Sequence, residues 1–460
     1  MKIFDTICAI STPVGTGGIS VIRISGENAF GISQKIFKSK FGKTIDDMNS
    51  FSILFGNVYD IEGHEIDEVL LSKFVAPNSF TGENVVEISC HGGMAVTKMI
   101  LKELIRAGAR LAENGEFTKR AFLNGKVDLS QAEAIIDIIN ANDEYNVYSG
   151  ENQLKGKLSE KVNEIRDSMI NATASIIAVI DYPEEDIDEI TTEEILSTLE
   201  TSKNKINELI RTYSTGKIIK EGAKIVIAGK PNVGKSSLLN ALLKENRAIV
   251  TNIAGTTRDT LEETINIDGL KAHIVDTAGI RESDDIVESI GIKKAYEMIN
   301  EADLILFILD TSVSISDEDL EIAKEIKEKN TFVILNKTDL NNEFDISPVK
   351  DIIKNAKYIK TSAKELTGIN ELTDLIKNSI LNGEINIKEN VYITNERHFE
   401  KLNLSLSYIE KAITDIRAGV YPDIVSIEIE NAISALGEIT GLTVSEEIIS
   451  NIFSRFCLGK

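Results

Sequence analysis

The stretch Gly229-Lys230-Pro231-Asn232-Val233-Gly234-Lys235-Ser236 constrains this chain more than any other. It follows the apolar run Lys224-Ile225-Val226-Ile227-Ala228 and precedes SLLNALL, which favours helix. A strand, then G-x-x-x-x-G-K-S, then a helix is the layout of a phosphate-binding loop. Gly229 and Gly234 let the backbone curl so that its N–H groups point inward. Lys235 adds a point charge for the β- and γ-phosphates, and the Ser236 hydroxyl can ligate Mg²⁺. The helix that starts here turns its positive end toward the anion. Asn232, Val233 and Ser237 complete the expected phosphate-contacting set.

Three more motifs follow in order: Asp276-Thr277-Ala278-Gly279, Asn336-Lys337-Thr338-Asp339 and Thr361-Ser362-Ala363, the last continued by Lys364. Each is expected to end an apolar strand (KAHIV, TFVIL and YIK), which puts them all at the carboxyl edge of one parallel sheet. Asp276 can hold Mg²⁺ through water, and the Gly279 N–H can meet the γ-phosphate. Asp339 offers two carboxylate oxygens to N1–H and the exocyclic amine of guanine. Adenine lacks that pair, so a buried Asp339 would reject ATP by being left unpaired. The set is the signature of a GTPase. Thr251-Asn252-Ile253-Ala254-Gly255-Thr256-Thr257-Arg258-Asp259 lies between the first two motifs, where a nucleotide-ordered switch loop belongs. Thr256 and Thr257 both have the chemistry to ligate Mg²⁺. Ile280 stands where Ras-like GTPases carry a water-orienting Gln, and it has no polar atom for that task. The polar stretch 281–288 supplies substitutes, most of them expected to be solvated charges.

A chain of 460 residues implies two to four domains, and 42% hydrophobic content is enough for real cores. No apolar run approaches the roughly 20 residues a bilayer span needs. The start, MKIFDTICAIS, has no long apolar stretch or small-residue cleavage site, so secretion is not expected. Cys8, Cys90 and Cys457 form no C-x-x-C pair, which fits a reducing cytosol and argues against zinc. A formal charge of −23 is ill suited to a broad grip on nucleic acid, so RNA contact should be local or lent by a partner.

Residues 1 to 120 read as strands with helices between: ICAIST, ISVIRIS, FSILFGNVYD, DEVLLSKFVA and NVVEISCHGG, then helical MAVTKMILKELIRAG. From Leu129 the period becomes helical, through Ala132, Ile135, Ile136 and Ile139. Helical spacing resumes after the nucleotide segment, with Leu402, Leu406, Ile409 and Ile413. An α/β module therefore interrupts a helical region. The junctions Ser214-Thr215-Gly216 and Asn382-Gly383-Glu384 have the composition of permissive insertion points. Lys35, Lys38, Lys40 and Lys43, interleaved with Phe37 and Phe41, read as a solvated helix end with core phenylalanines rather than an RNA patch. Cys90 and His91 are strand neighbours on opposite faces and are not expected to cooperate. By composition alone, Cys457-Leu458-Gly459-Lys460 reads as a disordered end.

The stretches TPVGTGGISVIRISG, SFTGENVVEISCHGG, GEFTKRAFLNGKVDLSQAEAI, DYPEED, GKPNVGKSSLLN, GTTRD, DTAGIRES and terminal CLGK carry a resemblance over essentially the full length. The chain resembles the tRNA modification GTPase MnmE (TrmE) family. That resemblance implies a multidomain α+β and α/β fold. Its parts are an α+β folate-binding and dimerising domain (1–122), an all-α helical domain in two parts (123–217 and 384–460) and an inserted Ras-like P-loop G domain (218–383). It implies a cytoplasmic protein that acts as a homodimer with an FAD-containing partner, MnmG (GidA), in a heterotetramer. In that family an aminomethyl-type group is added to carbon 5 of the wobble uridine of certain tRNAs. The implied carbon donor is 5-formyltetrahydrofolate or another one-carbon tetrahydrofolate. The partner is expected to make most of the tRNA contact. Folate contacts fall on Arg23, Glu87, Lys126 and Lys460. K⁺ ligands fall on Asn232, Thr251, Ile253 and Thr256, Mg²⁺ ligands on Ser236 and Thr257, and the catalytic Glu on Glu288. Cys457 matches the family's terminal Cys, with a role in modification implied and a mobile tail expected to carry it. The G motifs alone would equally fit a ribosome-assembly GTPase switch; the folate-type residues and CLGK favour modification.

Overall fold

The computed structural model describes residues 5–181, 189–245, 262–276, 297–340, 343–380, 387 and 389–459. The chain forms two compact units. One comprises Met1–Ile136, Gln153–Leu199 and Ser407–Lys460, and the other Asp137–Asn152 and Glu200–Leu406. Among the described residues no helix is long and apolar enough to cross a membrane.

The first unit holds a seven-stranded sheet. Its strands are β1 (Ile7–Ile10), β2 (Ile19–Ser25), β3 (Phe37–Ser39), β4 (Ser52–Tyr59), β5 (Glu65–Phe74), β6 (Val85–His91) and β7 (Arg110–Leu111). They lie in the order β3-β4-β5-β6-β2-β1-β7, antiparallel except where β7 runs parallel to β1. Burial alternates along β2 and β6, as expected of a sheet with one covered face. Helices Ala29–Ile36 and Met94–Ala107 cover that face, burying Ile32, Ile100 and Leu104 with Ile22, Ile24 and Ile88. The other face carries Arg23 directly opposite Glu87. In the same unit helix Lys157–Asp181 lies against helix Pro422–Thr440. Val162, Ile165 and Met169 recur at helical spacing on the first, and Val425, Ile429 and Ala432 on the second, all buried.

Two sequence expectations change here. The lysine-rich segment is not a helix end, because the helix stops at Ile36 and the chain continues into β3. Strand alternation turns Phe37 inward, 1% exposed, whereas Phe41 lies beyond the strand, before Gly42, and is 71% exposed. The carboxyl tail is not loose either. Ser11 Oγ donates to the Gly459 carbonyl at 3.0 Å, the Gly115 N–H reaches the Cys457 carbonyl at 3.5 Å, and Phe456 is buried. Gly459 has φ +90, and a Cβ there would overlap the Ile10 carbonyl, so only glycine fits this close approach.

The second unit is a doubly wound sheet. Its strands are β8 (Ala223–Ala228), β9 (Glu262–Ile267), β10 (Leu270–Asp276), β11 (Leu304–Asp310), β12 (Thr331–Asn336) and β13 (Lys357–Lys360). The order is β13-β12-β11-β8-β10-β9, parallel apart from β9. β11 shows why its sequence is almost wholly apolar. Leu304, Leu306 and Ile308 face helices Lys235–Glu245 and Ile369–Ile380, while Ile305, Phe307 and Leu309 face Asp317–Ile326 and Ser347–Ile352. Ser214, Thr215 and Gly216, read as a permissive junction, lie inside helix Tyr213–Glu221. Gly216 is small there because a Cβ would overlap the Ile393 carbonyl.

Candidate functional site

Four of the five parallel strands of the second unit end in a sequence motif at one rim. After β8 the phosphate loop curls with φ +150 at Gly229, +64 at Asn232 and +99 at Gly234. Val233 is buried and pins the loop to the core below it. A Cβ on Gly229 would stand 2.7 Å from the Ile308 carbonyl, and one on Gly234 would overlap Asn336 Nδ2. Lys235 is buried and its Nζ donates to the carbonyls of Gly229 and Lys230, both at 2.8 Å. Ser236 and Ser237 follow it in the first turn of helix Lys235–Glu245, both exposed.

Asn336 joins the loops together. Its Nδ2 donates to the Val233 carbonyl at 2.9 Å, and its Oδ1 accepts from the Ala363 N–H at 3.2 Å. Thr338 Oγ1 donates to the Thr361 carbonyl at 3.0 Å, and Ser362 Oγ donates to Asp339 Oδ1 at 2.7 Å. Lys337 Nζ donates to the Asn232 carbonyl at 2.9 Å and to Asp310 Oδ2 at 2.6 Å. The three loops enclose a cavity of about 500 Å³ lined by Gly234, Ser237, Asn336, Lys337, Asp339, Ser362, Ala363 and Lys364, among others. That volume is in the range of small-molecule sites.

Asp339 was expected to be buried and is exposed. The Ser362 hydroxyl holds its carboxyl below the usual carboxylate range, so it is an anion at neutral pH. Backbone Asp276 closes β10 as expected. Its side chain lies outside the described residues, as do Thr251, Asn252, Ile253, Ala254, Gly255, Thr256, Thr257, Thr277, Ala278, Gly279, Ile280, Glu288 and Lys460. The sequence reading missed Asp310. Its signal was an acidic residue closing the apolar strand LILFILD at the same rim as the other motifs.

A second polar cluster lies in the first unit. Arg23 Nε donates to Glu87 Oε1 at 2.8 Å. The Arg23 guanidinium lies 5.0 Å from the Phe80 ring centre and 5.7 Å from that of Phe117. Ala9 of β1 pairs with Arg23, and Ser11, two residues on, holds the tail. Lys126 is exposed, and its Nζ donates to the Pro77 carbonyl at 3.1 Å. Arg120, only 1% exposed, binds Asp5, Glu83 and Glu116 and so fixes helix Glu116–Leu123, which carries Phe117. Neither aromatic nor Arg120 was singled out from the sequence, because nothing local marks them. Of the three cysteines only Cys457 is exposed. Burial pushes the Cys8 thiol up to about 12 and raises that of Cys90. Cys90 is buried and His91 exposed beside Asp67, as strand alternation predicts.

Two family models account for most of the chain: the MnmE helical domain over residues 129–457 and the GTP-binding protein TrmE N-terminus over residues 6–126. The tRNA modification GTPase MnmE of Clostridioides difficile is 47% identical over 460 residues, covering 100% of both chains. The chain belongs to the MnmE family of tRNA modification GTPases. The MnmE of Acetivibrio thermocellus is likewise 47% identical, over 99% of each chain. A solved FeoB G-domain from Methanococcus jannaschii is 27% identical, covering 34% of this chain and 97% of that one, with a TM-score of 0.27. Membership in the MnmE family makes the protein a GTPase.

Proposed function

We propose that this MnmE-family protein acts as a homodimer with the FAD-containing flavoprotein MnmG (GidA) in a cytoplasmic heterotetramer. Together they add an aminomethyl-type group, carboxymethylaminomethyl or a related form, to carbon 5 of the wobble uridine of certain tRNAs. A one-carbon tetrahydrofolate, such as the 5-formyl form, supplies carbon. Residues 1–122 bind folate and dimerise, 218–383 hydrolyse GTP, and 123–217 with 384–460 form the helical domain bearing Cys457. The flavoprotein provides most of the tRNA contact, which accords with the net charge of −23.

The observation that carries this reading is the Arg23 cluster. A guanidinium flanked by two aromatic rings and paired with a carboxylate suits a flat, N–H-rich heterocycle with a carboxylate tail. Arg23, Lys126 and Lys460 supply cations, and Glu87 accepts from pterin N–H groups. Arg23 and Glu87 pair with each other, so folate must compete with a partly exposed ion pair of modest strength. Titration of the full chain with 5-formyltetrahydrofolate is expected to show saturable binding, weakened about tenfold or more in Arg23→Ala, the loss of roughly one charged hydrogen bond. No binding to the wild type would reject the folate reading and favour a switch without modification chemistry.

For hydrolysis, Ser236 and Thr257 are the proposed Mg²⁺ ligands, with Asp276 acting through water. Asn232, Thr251, Ile253 and Thr256 are the proposed K⁺ ligands, and Ile253 can offer only its carbonyl. The described members fit: Ser236 is exposed at the helix start, and the left-handed Asn232 is exposed beside it. A bound K⁺ would offset charge that develops between the β- and γ-phosphates. Glu288 takes the water-positioning role that Ile280 cannot fill. Replacing Na⁺ with K⁺ is expected to raise the GTPase rate about tenfold, a small part of an electrostatic effect. Equal rates in the two salts would remove the four K⁺ ligands.

A further inference from the structure

Asp310 belongs to none of the nucleotide motifs. It closes β11 directly opposite Asn336, in the register of the β11–β12 pair. Both of its carboxylate oxygens are committed. Oδ2 holds Lys337 Nζ at 2.6 Å, and Oδ1 accepts from the Ser312 N–H at 2.9 Å and Ser312 Oγ at 2.6 Å. Its side chain is 9% exposed. The same Lys337 ammonium reaches across to the Asn232 carbonyl of the phosphate loop. Lys337 and Asn232 both stand at φ +64, in the left-handed region that residues with a side chain occupy at a cost. Such conformations persist only where the surroundings over-determine them. A lysine stem also loses rotamer freedom when it is held in one place. An anion that cannot rotate away offsets that loss.

We propose that Asp310 is a positioning residue for guanine-nucleotide binding: it anchors the Lys337 ammonium so that the base loop and the phosphate loop are held together before nucleotide arrives. Without the anchor, Lys337 keeps only its carbonyl partner among the described residues, and binding must then order it. The loss falls on GDP and GTP alike, since the γ-phosphate plays no part in the contact. Discrimination against inosine nucleotides, which lack the exocyclic amine read by Asp339, is untouched. A merely structural role for Asp310 would act independently of Lys337.

The test uses the full chain and a fluorescent GDP, with competition by GDP and IDP. Asp310→Asn is expected to weaken GDP about tenfold, the scale of one charged hydrogen bond, with the GDP-to-IDP ratio unchanged. The double variant Asp310→Asn/Lys337→Ala should bind no worse than Lys337→Ala alone, because the anchor has nothing left to hold. Ser312→Ala, which loosens Asp310 without removing it, should weaken GDP about threefold. Wild-type affinity in Asp310→Asn, or losses that multiply in the double variant, overturns the proposal. Should Asp310→Asn fail to fold, wild-type affinity in Ser312→Ala overturns it instead.

Discussion

Asp339→Asn is expected to weaken GTP binding about 10³-fold and to let XTP bind in its place. An ionised carboxylate accepts from both N1–H and the exocyclic amine of guanine. Asparagine offers one acceptor, and its amide N–H₂ meets the guanine amine donor to donor. Losing two charge-assisted hydrogen bonds costs about 3–6 kcal/mol, which brackets that factor. Xanthine carries a carbonyl where guanine has the amine, so it restores the match. The side chain is exposed and accepts a hydrogen bond from the Ser362 hydroxyl, which asparagine can keep. The melting temperature should therefore barely move. Calorimetric titration with GTP and XTP decides the matter, and GTP affinity within threefold of wild type would exclude Asp339 as the base reader.

Gly234→Ala is expected to cost nucleotide affinity by a different route, about 10²-fold. Gly234 has φ +99, where a Cβ adds strain of about 1–2 kcal/mol. The same Cβ would overlap Asn336 Nδ2, the atom that donates to the Val233 carbonyl. Displacing Asn336 breaks a buried hydrogen bond worth about 1–3 kcal/mol and shifts the loop that carries Lys337 and Asp339. About 3 kcal/mol in all corresponds to two orders of magnitude in binding. Gly15→Ala is the control, since a Cβ there meets nothing within 4 Å. Fluorescent-GDP titration of both variants tests the argument, and normal binding by Gly234→Ala would refute it.

The nucleotide module was legible because its information is local. Parallel strands buried on both faces must be continuous apolar runs, and KIVIA, LILFILD and TFVILN are unmistakable as such. Motifs placed just after such runs fall on one rim by topology alone. The amino-terminal strands were readable for the same reason, from period-two alternation. Segments with weaker local codes misled. Phe37 and Phe41 look alike in sequence, yet one lies in a strand and the other beyond it.

Sequence by itself thus determined the turn of the phosphate loop, the loops that carry the other motifs and the sheet edge on which they fall, since each depends on residues adjacent in the chain. Tertiary structure alone decided which distant groups meet. Register brings Arg23 to Glu87 across 64 residues and Lys337 to Asp310 across 27, and docking brings Gly459 to Ser11 across 448. Those meetings depend on how strands pair and where a tail lands. They are set by burial and backbone hydrogen bonding summed over whole elements, which no short stretch of residues encodes.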